Sequence, residues 1–163
     1  VDKIPFSPEW NGVMFRLLLE AGFATQIEHS SLPVWGAEHY YAVLLSRYFP
    51  NTSSVSLSAF AFLVVFIYQG HLLASTSTVD VRVQDFLRRR IITLTVLEDV
   101  FQMLGISLPA FTSEDESELY ELIARIRKIV PGRTLLDYLE YSSSKQMLKQ
   151  SIHEGLELAR RMR

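Results

Sequence analysis

A long uncharged stretch constrains the fold of this chain more than any other feature. From Tyr48 to Val79 the 163-residue sequence has no Asp, Glu, Lys or Arg, and the run from Ser58 to Gly70 is densely apolar. Burial of the large side chains in that run, at roughly 1.5–3 kcal/mol each, would contribute about 10–20 kcal/mol of gross stabilisation. The run must therefore be a core helix, a membrane segment or a partner surface. It holds no residue suited to acid–base catalysis, so the sequence points to assembly.

The composition excludes several classes of function. Apolar residues make up 48% of the chain, enough for one domain to fill its core and keep apolar surface for another chain. The net charge of -2 gives no electrostatic reason to expect nucleic acid as a partner. The absence of cysteine excludes disulfides and cysteine metal sites, and it fits an intracellular protein, cytoplasmic or nuclear.

The membrane interpretation of the uncharged stretch is the weaker one. The segment from Val55 to Leu73, of about 19 residues, approaches the length needed to span a bilayer. Polar residues lie at both of its ends, no Lys or Arg flanks it closely, and the rest of the chain is amphipathic. We therefore expect no membrane among the partners.

Apolar residues recur at helical spacing over most of the chain. The segments predicted to be helical are 7–22, 37–49, 56–70, 95–105, 113–130 and 143–163. Ser56 or Ser58 is expected to cap the apolar helix, and Gly70 to close it. A capping box from Thr95 to Glu98 is expected to open the next helix, and Gly105 to end it.

Three short segments have a pattern typical of strands. Residues 23–27 and 32–35 are β-leaning and are separated by a turn-prone string, so they are expected to pair as a hairpin. In residues 79–83, valines alternate with polar residues at a period of two. Together with the helices, these segments predict an α+β fold that is predominantly α.

Several strings, in this order, resemble the BTB/POZ interaction domain. They are Phe15–Phe23, Leu32–Trp35, Ser46–Phe49, Phe60–Gly70 and Val100–Leu104. The resemblance implies a BTB/POZ-like helical cluster with a small β-sheet over residues 1–110. Residues 111–163 then correspond to a helical C-terminal extension.

The resemblance also implies partners. The first is a second copy of the chain, in a two-fold dimer built partly from the first helix, whose interface candidates are Trp10, Met14, Leu17 and Leu18. The ends of the fold would present a second surface to another protein, for which a cullin scaffold is one candidate. The residues expected on that surface are Phe49, Pro50, Asn51 and Gln102. The hydrophobic-x-glutamate string of cullin-binding members is absent, which argues mildly against a cullin.

No residues form a pattern that predicts chemistry. The histidines His29, His39, His71 and His153 are scattered without ligand spacing, so we expect no metal. The acidic run from Glu114 to Glu118 suits a helix start, and the arginine clusters suit a solvated face or a partner's acids. We expect no catalytic residue and no cofactor.

The sequence thus predicts a non-enzymatic protein–protein interaction domain that forms homodimers and recruits a partner. Two alternatives stay open. One is a substrate adaptor for a cullin-type ubiquitin ligase. The other is an all-helical structural or viral scaffold domain without the sheet.

Overall fold

The described part of the chain is helical. The computed structural model describes residues 36–75, 93–129 and 141–163, together with the single positions 8, 12, 15, 19, 88 and 136. The chain divides into one unit of residues 1–36 and a second of residues 37–163. In the described residues of the second unit the helices are α1 (Ala37–Tyr48), α2 (Ser54–Ala74), α3 (Leu94–Met103), α4 (Glu116–Ile129) and α5 (Tyr141–Arg161).

The predicted α+β class, with its BTB/POZ-like sheet, is wrong. The described ranges 36–75, 93–129 and 141–163 contain five helices, and no described residue lies in a strand. Here the apolar faces are covered helix on helix, so this core needs no sheet as a second layer. The segments predicted as strands, residues 23–27, 32–35 and 79–83, lie outside the described residues. Of the alternatives, the all-helical fold agrees with the structure.

Helix α2 is the centre of the core. Helices α1 and α5 both pack on α2, α4 packs on both α1 and α5, and α3 packs on α2. Four of the helices therefore close into a ring. The most completely buried large side chains of α2 are Leu57, Phe60, Leu63, Tyr68 and Leu72. A helix buried on several sides has to be apolar around its circumference, which explains the uncharged sequence.

The ends of α2 differ from their prediction. Ser53 is the N-cap, without a side-chain capping hydrogen bond, in place of Ser56 or Ser58. The helix also continues through Gly70 to Ala74. Because Leu72 is fully buried, burial of that last turn outweighs the roughly 1 kcal/mol that a glycine costs inside a helix.

The predicted capping box of α3 is also wrong, whereas its end is confirmed. Thr93 is the N-cap, and its hydroxyl accepts a hydrogen bond from the Val96 backbone N–H at 3.3 Å. Thr95 lies inside the helix as a result. Gly105, at φ +63°, ends the helix as predicted.

Most of each apolar stripe predicted for the last two helices is confirmed. The buried members are Leu119, Leu122, Ile123 and Ile126 in α4 and Leu148, Ile152, Leu156 and Ala159 in α5. Ile129, one of two residues expected to end the α4 stripe, is 54% exposed, and Met162, expected to end the α5 stripe, is half-buried. The division at residue 110 stays a prediction, and helices from both sides of it pack on one another.

A buried tyrosine links α1 to α4. The Tyr41 hydroxyl donates a hydrogen bond of 3.0 Å to the Leu119 carbonyl oxygen, and both residues are fully buried. Burial raises the pKa of Tyr41 well above its ordinary value, because the ionised phenolate would lose its hydration. This hydrogen bond links α1 directly to α4 and so closes the ring of four helices.

A glycine allows α5 to approach α2 closely. A Cβ atom added at Gly155 would lie 3.1 Å from Val64 Cγ2 and 3.7 Å from Phe60 Cε2. Both neighbours are fully buried and have little room to move. A Cβ atom at this position would press on Val64, and a larger side chain would have to displace Val64 or Phe60.

We predict that Gly155→Leu lowers the free energy of unfolding by about 1–3 kcal/mol, because the new side chain overpacks the α2–α5 contact. Urea unfolding followed by circular dichroism measures the change. The matched control is Lys145→Leu, at an exposed position of the same helix, which should change stability by no more than about 0.5 kcal/mol. Equal effects of both substitutions would contradict the predicted close contact.

We predict that Tyr41→Phe costs about 1 kcal/mol at neutral pH, the net contribution of a buried hydrogen bond. The unfolded Tyr41 ionises near pH 10, whereas burial keeps the folded one protonated. Unfolding therefore releases a proton above that pH, and stability falls as pH rises. The wild type should lose its advantage over Tyr41→Phe between about pH 9 and 11 in urea titrations. A constant difference across that range would contradict this.

Candidate interaction surface

An apolar groove lies between the N-terminal half of α2 and the C-terminal end of α3. Its volume is about 390 Å³, and it is open to solvent. The residues that line it are Ser54, Val55, Ser58, Ala59, Phe101 and Ile106. None of them is charged, so the groove suits an apolar side chain better than a polar metabolite.

A helix-terminating motif builds one wall of the groove. The Ile106 N–H donates to the Phe101 carbonyl at 2.9 Å, and the Gly105 N–H donates to the Gln102 carbonyl at 3.1 Å. This pair of bonds, with glycine at positive φ, is the Schellman motif. The motif turns the chain back so that the side chains of Phe101 and Ile106 line the same groove.

Helix α2 presents an exposed stripe beside the groove. Val55, Ser58 and Phe62 are spaced by three and four residues, so they share one face. Val55 is 59% exposed and Phe62 is 40% exposed. The stripe carries no charge. Two large apolar side chains therefore face solvent on the helix that otherwise forms the core.

Helix α3 has a second apolar stripe next to its buried one. Leu97 and Phe101 are buried, whereas Val96 and Met103 are 42% and 55% exposed. Val96, Val100 and Met103 follow helical spacing along one flank. Leu104, at the end of the helix, is also exposed. The apolar face of α3 is thus wider than its contact with α2 requires. We call the groove together with Val55, Phe62, Met103 and Leu104 the groove surface.

A second, polar cavity lies at the start of α4. Its volume is about 290 Å³, and it is lined by Ser113, Glu116, Ser117, Tyr120 and Lys149. The Lys149 ammonium lies 5.3 Å from the centroid of the Tyr120 ring, a cation–π distance. Glu116 Oε2 lies 3.5 Å from His153 Nδ1. These contacts join α4 to α5.

The described histidines of α2 and α5 each face a single carboxylate. His71 Nε2 lies 3.3 Å from Glu154 Oε1, which links α2 to α5 as His153 links α5 to α4. Within the described ranges no group of three or more His, Cys, Asp or Glu residues could hold a metal ion. Both pairs span two helices and are partly exposed to solvent.

The predicted partner-surface residues are spread over two places. Phe49 is half-buried, with its ring centroid 4.8 Å from that of Phe111, whereas Pro50 and Asn51 are exposed in the turn after α1. Gln102 is exposed on α3, and its carbonyl takes part in the Schellman motif. Nothing tests their role, and it stays a prediction.

The predicted dimer interface stays a prediction. The side chains of Trp10, Met14, Leu17 and Leu18 lie outside the described residues. Of the described positions in the first unit, Phe15 and Leu19 are helical and exposed, at 64% for Phe15.

Tyr48, at the end of α1, is another contact between α1 and α4. A hydrogen bond between its hydroxyl and the Glu118 carboxylate raises the pKa of Tyr48, and the negative charge of Glu118 adds to the effect. The ring is half exposed, so this pair contributes little to stability.

Comparison with known proteins assigns no class to this chain. No family model matches it, and no match was found among curated proteins or solved structures. By length and composition alone α2 could cross a bilayer, and most of its apolar window is buried within the protein. The surface chemistry of the described residues therefore carries the functional argument.

The groove surface was not found from the sequence, although one signal was present. Val96, Val100 and Met103 form an apolar flank beside the stripe of Leu97 and Phe101. Such width indicates that a helix contacts more than one neighbour. The groove itself depends on the backbone turn at Gly105 and on which face α2 presents, and neither follows from apolar spacing.

We predict that Gly105→Ala lowers the free energy of unfolding by about 1–2 kcal/mol, because a Cβ atom disfavours the left-handed conformation. The space around Gly105 is open, so the cost is conformational and not steric. Gly105→Asn should lose less, since asparagine tolerates this conformation better. Thermal and urea unfolding of both variants give the comparison, and an alanine variant as stable as the wild type would contradict the motif's role.

Proposed function

We propose that this chain is a helical, non-enzymatic protein-interaction domain that self-associates. The observation that carries the proposal is the groove surface, where Val55, Phe62, Met103 and Leu104 are all at least 40% exposed. Large apolar side chains grouped around an apolar groove are typical of a surface that another protein covers.

The chemistry of this surface favours protein over other ligands. Its groove has no charged lining residue, and the polar side chains that line it are Ser54 and Ser58, so it offers no charge to orient a phosphate or a metal. Aromatic residues and methionine are enriched in the buried centres of protein interfaces, and Phe62 and Met103 are exposed here.

A second copy of the chain is the partner to which the proposal commits. The α2 side of this surface lies on the uncharged part of the sequence, so two identical copies can meet along α2 without like charges opposing each other. The α3 side carries Glu98 and Asp99. The BTB/POZ resemblance and recruitment of a further protein stay predictions, and no described residue favours a cullin.

We predict that light scattering on the purified chain gives a mass of about twice 18.7 kDa at micromolar concentration. Dilution should shift the mass toward that of the monomer, because self-association follows mass action. Urea added below the unfolding transition, as judged by circular dichroism, should have the same effect. A monomer that persists on concentration would contradict self-association.

A further inference from the structure

We propose that Met103 is an oxidation site and that its sulfoxide shifts the chain toward the monomer. The inference rests on the proposed self-association and adds how that association can be regulated. The oxidant is a peroxide, which converts the apolar thioether of a methionine to a polar sulfoxide. Two observations carry the inference, the exposure of Met103 and its place in the groove surface.

Exposure separates Met103 from the other methionines that the structure describes. The Met103 side chain, at the end of α3, is 55% exposed. Met147 and Met162 lie on and just after α5, where both are half-buried and pack against the hydrophobic core. A thioether reacts only when its sulfur meets the peroxide, so the rate of oxidation follows exposure. Met103 is therefore the first of these three to react.

Met103 lies where a polar group interferes with docking. It is one of the exposed apolar side chains of the groove surface, next to the turn that brings Ile106 into the groove. Asp99, four residues earlier on the same face of α3, has a carboxylate that accepts hydrogen bonds and donates none. A sulfoxide oxygen also only accepts. It therefore keeps its hydrating water, and docking would have to remove that water at a cost in free energy.

The chemical step is balanced and reversible. A lone pair of the Met103 sulfur attacks one oxygen of hydrogen peroxide, the O–O bond breaks, and the other oxygen leaves as water once it has taken the proton of the first. The sulfur is oxidised by two electrons and the peroxide is reduced. Methionine sulfoxide reductases reverse the oxidation. The chain has no cysteine, so it offers peroxide no thiol that would compete.

The monomer is the form that reacts. In the proposed dimer a second copy covers the groove surface, so peroxide reaches Met103 when the two copies separate. The sulfoxide then weakens re-association, and monomer accumulates by mass action. The change is on an exposed side chain, so the fold stays intact and circular dichroism of the oxidised chain should match that of the reduced chain.

Limited oxidation of the folded chain tests the first step. At concentrations where the chain is monomeric, hydrogen peroxide should convert Met103 at least about threefold faster than Met147 or Met162, as read by peptide mass spectrometry. In urea above the unfolding transition the three rates should converge, because the three sulfurs are then equally exposed. Equal rates in the folded chain would overturn the inference.

Sedimentation equilibrium tests the second step. The dissociation constant of the oxidised chain should rise about tenfold, and treatment with a methionine sulfoxide reductase should restore it. Met103→Leu, which is apolar and of similar volume, should keep the wild-type dissociation constant and be insensitive to peroxide. Met162→Leu is the matched control, and it should stay as sensitive to peroxide as the wild type.

The other outcomes separate the inference from the proposed function. A dimer whose dissociation constant is unchanged after complete oxidation of Met103 would overturn the inference and keep self-association. A Met103→Leu dimer that dissociates on oxidation would place the sensitive methionine elsewhere and would also overturn the inference. A reduced wild-type chain that stays monomeric would overturn both.

Discussion

Burial of helix α2 is the constraint on which the rest of this structure depends. A 21-residue helix without a single charged side chain cannot stay in water, and in the described residues α1, α3 and α5 cover it. The other contacts of the ring support that burial. Gly155 lets α5 approach to van der Waals distance, and the Tyr41 hydrogen bond closes the ring between α1 and α4. Each of these contacts contributes little free energy compared with the burial of the apolar surface of α2.

The two halves of α2 have different surroundings. From Leu63 to Tyr68 every side chain is buried, whereas Val55, Ser58 and Phe62 face solvent beside the end of α3. The uncharged sequence is therefore longer than the enclosed core requires. In our proposal this extra uncharged sequence is functional. The surface it forms faces water in the monomer and a second copy in the dimer, so it has to avoid charge without disrupting the fold.

The sequence predicted those parts of the fold that follow from periodicity. The helices α1, α4 and α5, and most of the buried stripes of α4 and α5, follow from apolar residues at helical spacing, and the glycine that ends α3 follows from its position after the last apolar residue. In α1, Val43 and Tyr48 were expected to be buried and are 38% and 50% exposed. The N-cap at Thr93 in place of Thr95 does not follow from periodicity, because both hydroxyls suit a cap and tertiary packing selects where the helix starts. The helix through Gly70 was missed because burial of Leu72 outweighs the preference of glycine for a helix end.

The sheet was inferred from short β-leaning strings and from family resemblance, and neither measures how an apolar helix is covered. In the described residues the cover is other helices. The groove surface was not predicted from the sequence, for a related reason. It exists only where the turn at Gly105 brings Ile106 back beside Phe101 and against α2, and spacing along one helix carries no information about that meeting.

Amide hydrogen exchange at low and high protein concentration tests the central claim most directly, since it reports core and surface of α2 in one experiment. The account predicts that amides in residues 63–72 are strongly protected at both concentrations. It also predicts that protection in residues 54–62 and 101–106 rises with concentration. Weak protection of residues 63–72 would contradict α2 as the core. Exchange in 54–62 and 101–106 that is independent of concentration, in a chain that self-associates, would contradict the groove surface as the interface.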